Sequence, residues 1–246
     1  MANETDPFAH HPGLRDKITD PLKSFFRDFK PSDMDPIVKE HGFPDNWRRT
    51  DGEIERTRKN ALAGRLDGDL WVFGYGSLMW DPAFIFSEVR RGRIVGYHRN
   101  FCLKDTMGGR GTRELPGLMA ALDEGGGCNG LAFRIEAERV DEETAVLWRR
   151  EMIAPAYKPI FAEVTTQFGT IEALSFAADH NAAIIDAEIT RSQQVRYIAT
   201  GTGILGSSLE YLENMRSHFD ALGIVDKEIL ELVDEVSAYR NAARQE

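Results

Sequence analysis

Cysteine is scarce in this chain. Cys102 and Cys128 are the only two among 246 residues, too few for a disulfide framework or a four-cysteine zinc site. Buried free thiols in a reducing compartment are the expectation. Positive charge is in deficit, with 30 Lys and Arg against 40 Asp and Glu and a formal net charge of -10, which argues against broad binding to a phosphate backbone. The sequence opens without a basic-then-apolar leader, and no apolar run is long enough to span a bilayer. No two histidines form a His-Glu-x-x-His pattern, and no Gly-Lys-Ser/Thr phosphate loop occurs. Internal repeats, heptads and low-complexity tracts are missing as well. What remains is a soluble, intracellular globular chain, long enough to bury a real core.

The sequence is organised around Trp71-Val72-Phe73-Gly74-Tyr75-Gly76-Ser77-Leu78-Met79. A short apolar strand breaks at two glycines flanking one aromatic, then turns. Glycine lets a ligand approach the main chain closely, and successive amides in such a turn can point at one partial negative charge. A carbonyl or carboxylate oxygen is the ligand this geometry suits; a tight structural turn is the competing reading. With Met at position 79 the stretch is not a dinucleotide fingerprint. Tyr75 and Met79 stand where a Gly-x-Ser-x-Gly nucleophile elbow needs glycine.

Residues 1–69 read as a polar, proline-punctuated N-terminal extension, partly ordered, with roughly the first ten residues expected to lack fixed structure. Leu22, Phe25, Phe26 and Phe29 are spaced to share a face and drape the segment over the main domain. A partner-binding role for these phenylalanines is the alternative. Residues 53–65 are a charged helix candidate ending at Gly64.

Residues 70–246 read as the main domain. Strand character fills Gly92–Leu103, Leu118–Leu122 and Cys128–Ile135, with Gly125-Gly126-Gly127 as a flexible turn between the last two. A glycine- and arginine-rich loop over Met107–Gly117 carries Arg110, Arg113 and Glu114, the glutamate suited to a salt bridge with its arginine neighbours. These strands lie too close together for crossover helices, so a meander or small barrel is expected rather than a doubly wound sheet. Asp141 is placed to cap a helix whose first turn holds Glu142 and Glu143. Tyr157–Thr165 and Ile171–Phe176 return to strand. Thr190-x-x-Gln193 and Ser207-x-x-Glu210 match capping boxes, and a terminal helix runs from Asp226 to about Ala242.

Glu151 is the most interesting carboxylate. Near a helix C-terminus and flanked by Trp148 and Met152, it is exposed to two effects that raise a carboxyl pKa, the dipole and desolvation. A group poised nearer neutrality is a better proton acceptor and donor. Against this, Arg149 and Arg150 can hold it ionised in an ordinary surface pair.

Several of these stretches taken together resemble the ChaC family, the glutathione-specific γ-glutamylcyclotransferases. They are Val72-Phe73-Gly74-Tyr75-Gly76-Ser77-Leu78, Gly96-Tyr97-His98-Arg99 with Phe101-Cys102-Leu103, and Arg110-Gly111-Thr112 before Pro116-Gly117-Leu118. Gly125-Gly126 with Cys128-x-Gly130, the Arg150-Glu151 pair, and Gly203 to Leu212 followed by Leu222-Gly223-Ile224-x-Asp226 belong to the same set. The resemblance covers roughly residues 71–236 and leaves 1–69 open.

It implies an α+β fold, a small mixed β-barrel with packed helices, and a cytoplasmic lyase that converts glutathione to 5-oxoproline and cysteinylglycine. Neither a cofactor nor a metal is implied, and the partners are the small-molecule substrate alone, with no nucleic acid and no membrane, in a monomer or homodimer. Glu151 matches the family's catalytic glutamate. The Tyr75-Gly76-Ser77-Leu78 loop is similarly the seat of the glutamyl end, with Tyr157 in the same pocket; Arg110 and Arg113, or else Arg99, are candidates to pair with a substrate carboxylate. The segment after Glu151 departs from the family pattern, which makes the register of Tyr157 the weakest part of the match. A cyclotransferase for other γ-glutamyl amides or peptides, or a non-catalytic γ-glutamyl-binding module, are the alternatives.

Overall fold

The computed structural model describes residues 6–40, 42 and 44–244. The chain forms two compact units, one of Met1–His98 with Glu124–Ala177 and one of Arg99–Asp123 with Ala178–Glu246. Five strands close a mixed barrel: β1 (Leu70–Gly74), β2 (Glu88–Asp105), β3 (Gly117–Ile135), β4 (Tyr157–Thr166) and β5 (Gly169–Ala178), in the order β1-β3-β2-β4-β5 with β3 also meeting β5. β1 runs antiparallel to β3, Leu70 opposite Ile135 and Gly74 opposite Leu131, and parallel to β5 at Val72 and Leu174. β2 and β4 are antiparallel at Gly92–Ile94. The expected small barrel is what forms.

Two of the expected strands are one. β3 is continuous from Gly117 to Ile135, and Gly125-Gly126-Gly127 lies inside it rather than in a turn. Gly125 and Gly126 take φ of +105° and +63°, which kinks the strand as a bulge does. At Gly127 a Cβ would sit 2.6 Å from the Ile94 carbonyl oxygen, so the triplet marks a bend and a close strand approach.

In the first unit the barrel packs on α3 (Val140–Glu151), whose Trp148 is fully buried with its ring edge-to-face on Phe176 at 5.1 Å. α3 begins two residues earlier than a cap at Asp141 requires. Its N-cap is Arg139, without a side-chain hydrogen bond, and the Asp141 carboxylate instead accepts from Arg58 at 2.8 Å.

The N-terminal segment is tied to this unit at many points. α1 (Asp35–Glu40) is short, and α2 (Asp51–Ala61) starts at Thr50, which forms a reciprocal capping box with Glu53. α2 therefore begins and ends earlier than expected. Residues 1–5 lie outside the described residues, but 6–10 make fixed contacts: Phe8 meets Phe86 edge-to-face at 5.7 Å, and Arg15 pairs with Asp6 at 2.5 Å. Of the four apolar residues expected to share a face, Phe29 is buried and Phe26 half-buried, whereas Leu22 and Phe25 stay 68% and 71% exposed. Phe25 caps a cluster of three rings, its centroid 5.4 Å from Phe26 and 5.5 Å from Phe29.

The second unit holds the far ends of β2 and β3 with three helices, α4 (Arg191–Thr200), α5 (Ser208–Leu222) and α6 (Lys227–Ala243). Both expected capping boxes form, Thr190 with Gln193 and Ser207 with Glu210, and Asp226 caps α6. Cys102 and Cys128 are buried free thiols. Burial pushes the Cys102 thiol up to about 12, with Asp123 adding to the effect.

Candidate functional site

β1 ends at Gly74, and the chain turns through Tyr75 and Gly76 into a single 3-10 turn, Ser77–Met79. Space requires glycine at 74, where a Cβ would lie 3.1 Å from the Leu78 Cβ and 3.3 Å from the Met79 nitrogen. Inside the turn, Met79 N–H donates to Gly76 O at 2.9 Å, and Trp80 and Asp81 N–H donate to Ser77 O at 3.2 and 3.0 Å. The opening amides of such a turn have no carbonyl within it to meet. Tyr75, Leu78 and Met79 are buried, and Ser77 is half-buried.

Glu151 is the last residue of α3, and its side chain is 15% exposed. Burial raises its carboxyl above the ordinary glutamate value of 4.5, while Arg150 pulls the other way. Burial is the larger of the two effects, and Arg150 is shared among three partners. Its Nε lies 3.1 Å from Glu151 Oε1, its Nη2 donates to Ser77 Oγ at 2.8 Å, and its Nη1 donates to the Asp81 carbonyl. The Phe26 ring lies under the guanidinium, 4.2 Å from its carbon. One arginine thus links the carboxylate to the glycine turn. The sequence singled out Arg150 as a neighbour able to hold Glu151 ionised and as part of the Arg150-Glu151 pair; its bridge to Ser77 and Asp81 spans some seventy residues and leaves no local signal.

Tyr75, Gly76, Ser77, Leu78, Glu151 and Tyr157 all belong to the first unit, with Tyr157 half-buried at the start of β4. Arg110 and Arg113 belong to the second. There Arg110 donates to the Ser207 carbonyl at 3.1 Å and stacks near Tyr211, so it braces the N-terminus of α5. It does this rather than pair with Glu114, which is exposed, as is Arg113. Arg99 is a correction. Its side chain is 2% exposed, paired with Asp226 and stacked 4.5 Å from the Phe219 ring, which commits its guanidinium to the packing of its own unit. His98 reaches the Gly125 carbonyl with Nδ1 at 3.1 Å. Among the described residues no three His, Cys, Asp or Glu side chains gather as a metal site would require, and no helix is long and apolar enough to cross a membrane.

The fold is shared with a crystal structure of a γ-glutamyl cyclotransferase specific to glutathione from yeast. The TM-score is 0.61 at 19% identity, over 70% of this chain and 97% of that one. The chain belongs to the ChaC-like protein family, whose family model matches residues 70–239. It is 40% identical over 176 residues to the glutathione-specific γ-glutamylcyclotransferase of Escherichia coli, covering 70% of this chain and 75% of that enzyme. The human glutathione-specific γ-glutamylcyclotransferase 1 is 31% identical over 188 residues, 72% of this chain and 84% of that one. γ-Glutamylcyclotransferase 2-1 of Arabidopsis thaliana is 30% identical over 177 residues, 68% and 82% respectively.

Proposed function

We propose that this protein is a cytoplasmic γ-glutamylcyclotransferase, a lyase that cleaves glutathione to 5-oxoproline and cysteinylglycine, working without a cofactor as a monomer or homodimer. The observation that carries the reading is Glu151: a half-buried carboxylate with a raised pKa, tied through Arg150 to the glycine turn. Its family membership and the glutathione-specific relatives support the choice of substrate.

The substrate carries its own nucleophile. Its α-ammonium gives a proton to the Glu151 carboxylate, and the freed amine attacks the γ-carbonyl carbon, closing a five-membered ring. The carbonyl oxygen gains negative charge, for which the main-chain amides near Gly76 and Ser77 are our candidate donors. The C–N bond to the cysteinyl residue then breaks as Glu151 returns the proton to the leaving nitrogen. The ring nitrogen's remaining extra proton passes to the amine of the released cysteinylglycine, and no water is consumed. Ring closure depends on holding the glutamyl chain folded, which the tight loop and Tyr157 supply by orientation. Glu151 must enter ionised, and its raised pKa makes the carboxylate a stronger acceptor for the proton of the α-ammonium. Arg110 and Arg113 are our candidates for the substrate's carboxylates.

The test is 5-oxoproline release from reduced glutathione beside a panel of γ-glutamyl amino acids. Product from glutathione alone is expected. Equal turnover of the panel would replace glutathione specificity with a broader cyclotransferase, and binding without product from any of them would reduce the protein to a γ-glutamyl-binding module.

A further inference from the structure

The N-terminal segment precedes the stretch that the family model matches, yet it grips the end of α3 from two sides. A helix ends with carbonyls that have no partner inside it. Here the chain beyond Glu151 must cross from Met152 to Tyr157 before β4 begins. Four carbonyls of that link accept from one residue, Arg49. Its guanidinium donates to Met152 O at 3.2 Å, to Ala154 O and to Tyr157 O at 3.5 Å, and its backbone N–H donates to Ile153 O at 2.8 Å. The forked geometry of guanidinium suits several acceptors at once, and a cation is favourable at a helix C-terminus.

Arg49 is itself held. Arg48 is clamped by Asp35 at 2.9 and 3.0 Å and donates to the Arg49 carbonyl at 2.9 Å. Directly after it, α2 is fixed to α3 by Arg58, which reaches the Asp141 carbonyl at 2.9 Å and Thr144 Oγ1 at 3.0 Å. On the other side of the last turn of α3, Arg149 donates to the Arg27 and Phe29 carbonyls at 3.2 and 3.3 Å, and Phe26 stacks on Arg150.

We infer that Arg49 is a positioning residue for Glu151, and that the N-terminal segment thereby forms part of the catalytic apparatus of this chain. The inference rests on the proposed role of Glu151. Loss of the three guanidinium bonds, with the backbone bond to Ile153 kept, frees the Met152–Tyr157 link, lets the end of α3 fray, and admits water to the carboxylate. A displacement of about 1 Å at a reacting group lowers turnover on the order of a hundredfold.

The experiment uses the full chain with Arg49→Ala and Arg49→Lys, assayed below their melting temperatures. Activity is read as kcat and KM for glutathione across pH. The Glu151 carboxyl titration is followed independently by carbon-13 NMR and assigned with Glu151→Gln. In Arg49→Ala kcat is expected to fall by at least roughly tenfold with KM little changed, and the Glu151 midpoint to move down toward the ordinary 4.5. Arg49→Lys, which keeps the charge but not the fork, is expected to recover part of both. Should Arg49→Ala fail to fold, Arg49→Lys decides: wild-type kcat and an unmoved Glu151 titration overturn the inference. A lower melting temperature with unchanged kcat and titration likewise makes Arg49 a structural brace only. If the wild type makes no 5-oxoproline, the proposed function fails, and the titration alone decides whether Arg49 sets the environment of Glu151.

Discussion

Replacing Arg27 by methionine is expected to cost this protein a large part of its stability while leaving its chemistry intact. Glu143 lies on α3 with its side chain wholly buried, and Arg27 is the cation that neutralises it through both terminal nitrogens. The remaining support is one N–H, from Ile85 at 2.8 Å. Methionine fills much of the arginine's volume but leaves a buried carboxylate without a counter-charge, a change that costs about 3–5 kcal/mol in comparable pairs. At about 2–4 °C per kcal/mol for a chain of this size, the melting midpoint falls by roughly 6–20 °C. Thermal unfolding followed by tryptophan fluorescence measures it. The loss should be nearly independent of salt, because the pair is shielded from solvent. Adding Glu143→Leu should recover most of it, since the unpaired charge then disappears. Turnover well below the midpoint should stay near wild type, because Glu143 lies two turns of α3 from Glu151. A midpoint within about 2 °C of wild type for Arg27→Met, against the expected cost, would refute the reasoning.

Three further outcomes follow from the site. The acid limb of kcat/KM against pH should have its midpoint above 4.5, because turnover needs ionised Glu151 and burial raises its pKa in the free protein; a midpoint at or below that value would contradict the assignment. Glu151→Gln should melt higher than wild type at neutral pH. A raised folded-state pKa means that the folded protein binds this proton more tightly than the unfolded one, so ionised Glu151 destabilises the fold above its folded pKa. The advantage should shrink as pH falls through that pKa and vanish below the unfolded value; a gain that persists in acid would point to a different cause. Arg113→Ala should raise KM for glutathione with little change in kcat, and an unchanged KM would remove Arg113 from the substrate's contacts.

Features governed by neighbours in sequence were legible. The Thr190–Gln193 and Ser207–Glu210 boxes need only residues three apart, and both form as expected. The closely spaced strands pointed to a barrel, because they leave no length for crossover helices. Readings went astray where a distant partner decides. Gly125-Gly126-Gly127 has the composition of a turn, and only the approach of Ile94 reveals a kinked strand. Asp141 has the character of a cap, but Arg58, 83 residues earlier, claims its carboxylate. Arg99 was one of three candidates to pair with a substrate carboxylate, and it pairs with Asp226, 127 residues away. Glu151 could be ranked from Trp148, Met152 and the helix end, whereas the bonds of Arg150 to Ser77 and Asp81, some seventy residues earlier, left no local signal.

The most direct measurement is 5-oxoproline release from reduced glutathione by the wild type and by Glu151→Gln, both shown to be folded by their melting transitions. The account predicts turnover by the wild type and a loss of roughly a hundredfold or more in the variant, the effect of removing a positioned general acid and base. A folded Glu151→Gln protein that forms 5-oxoproline at the wild-type rate would contradict it.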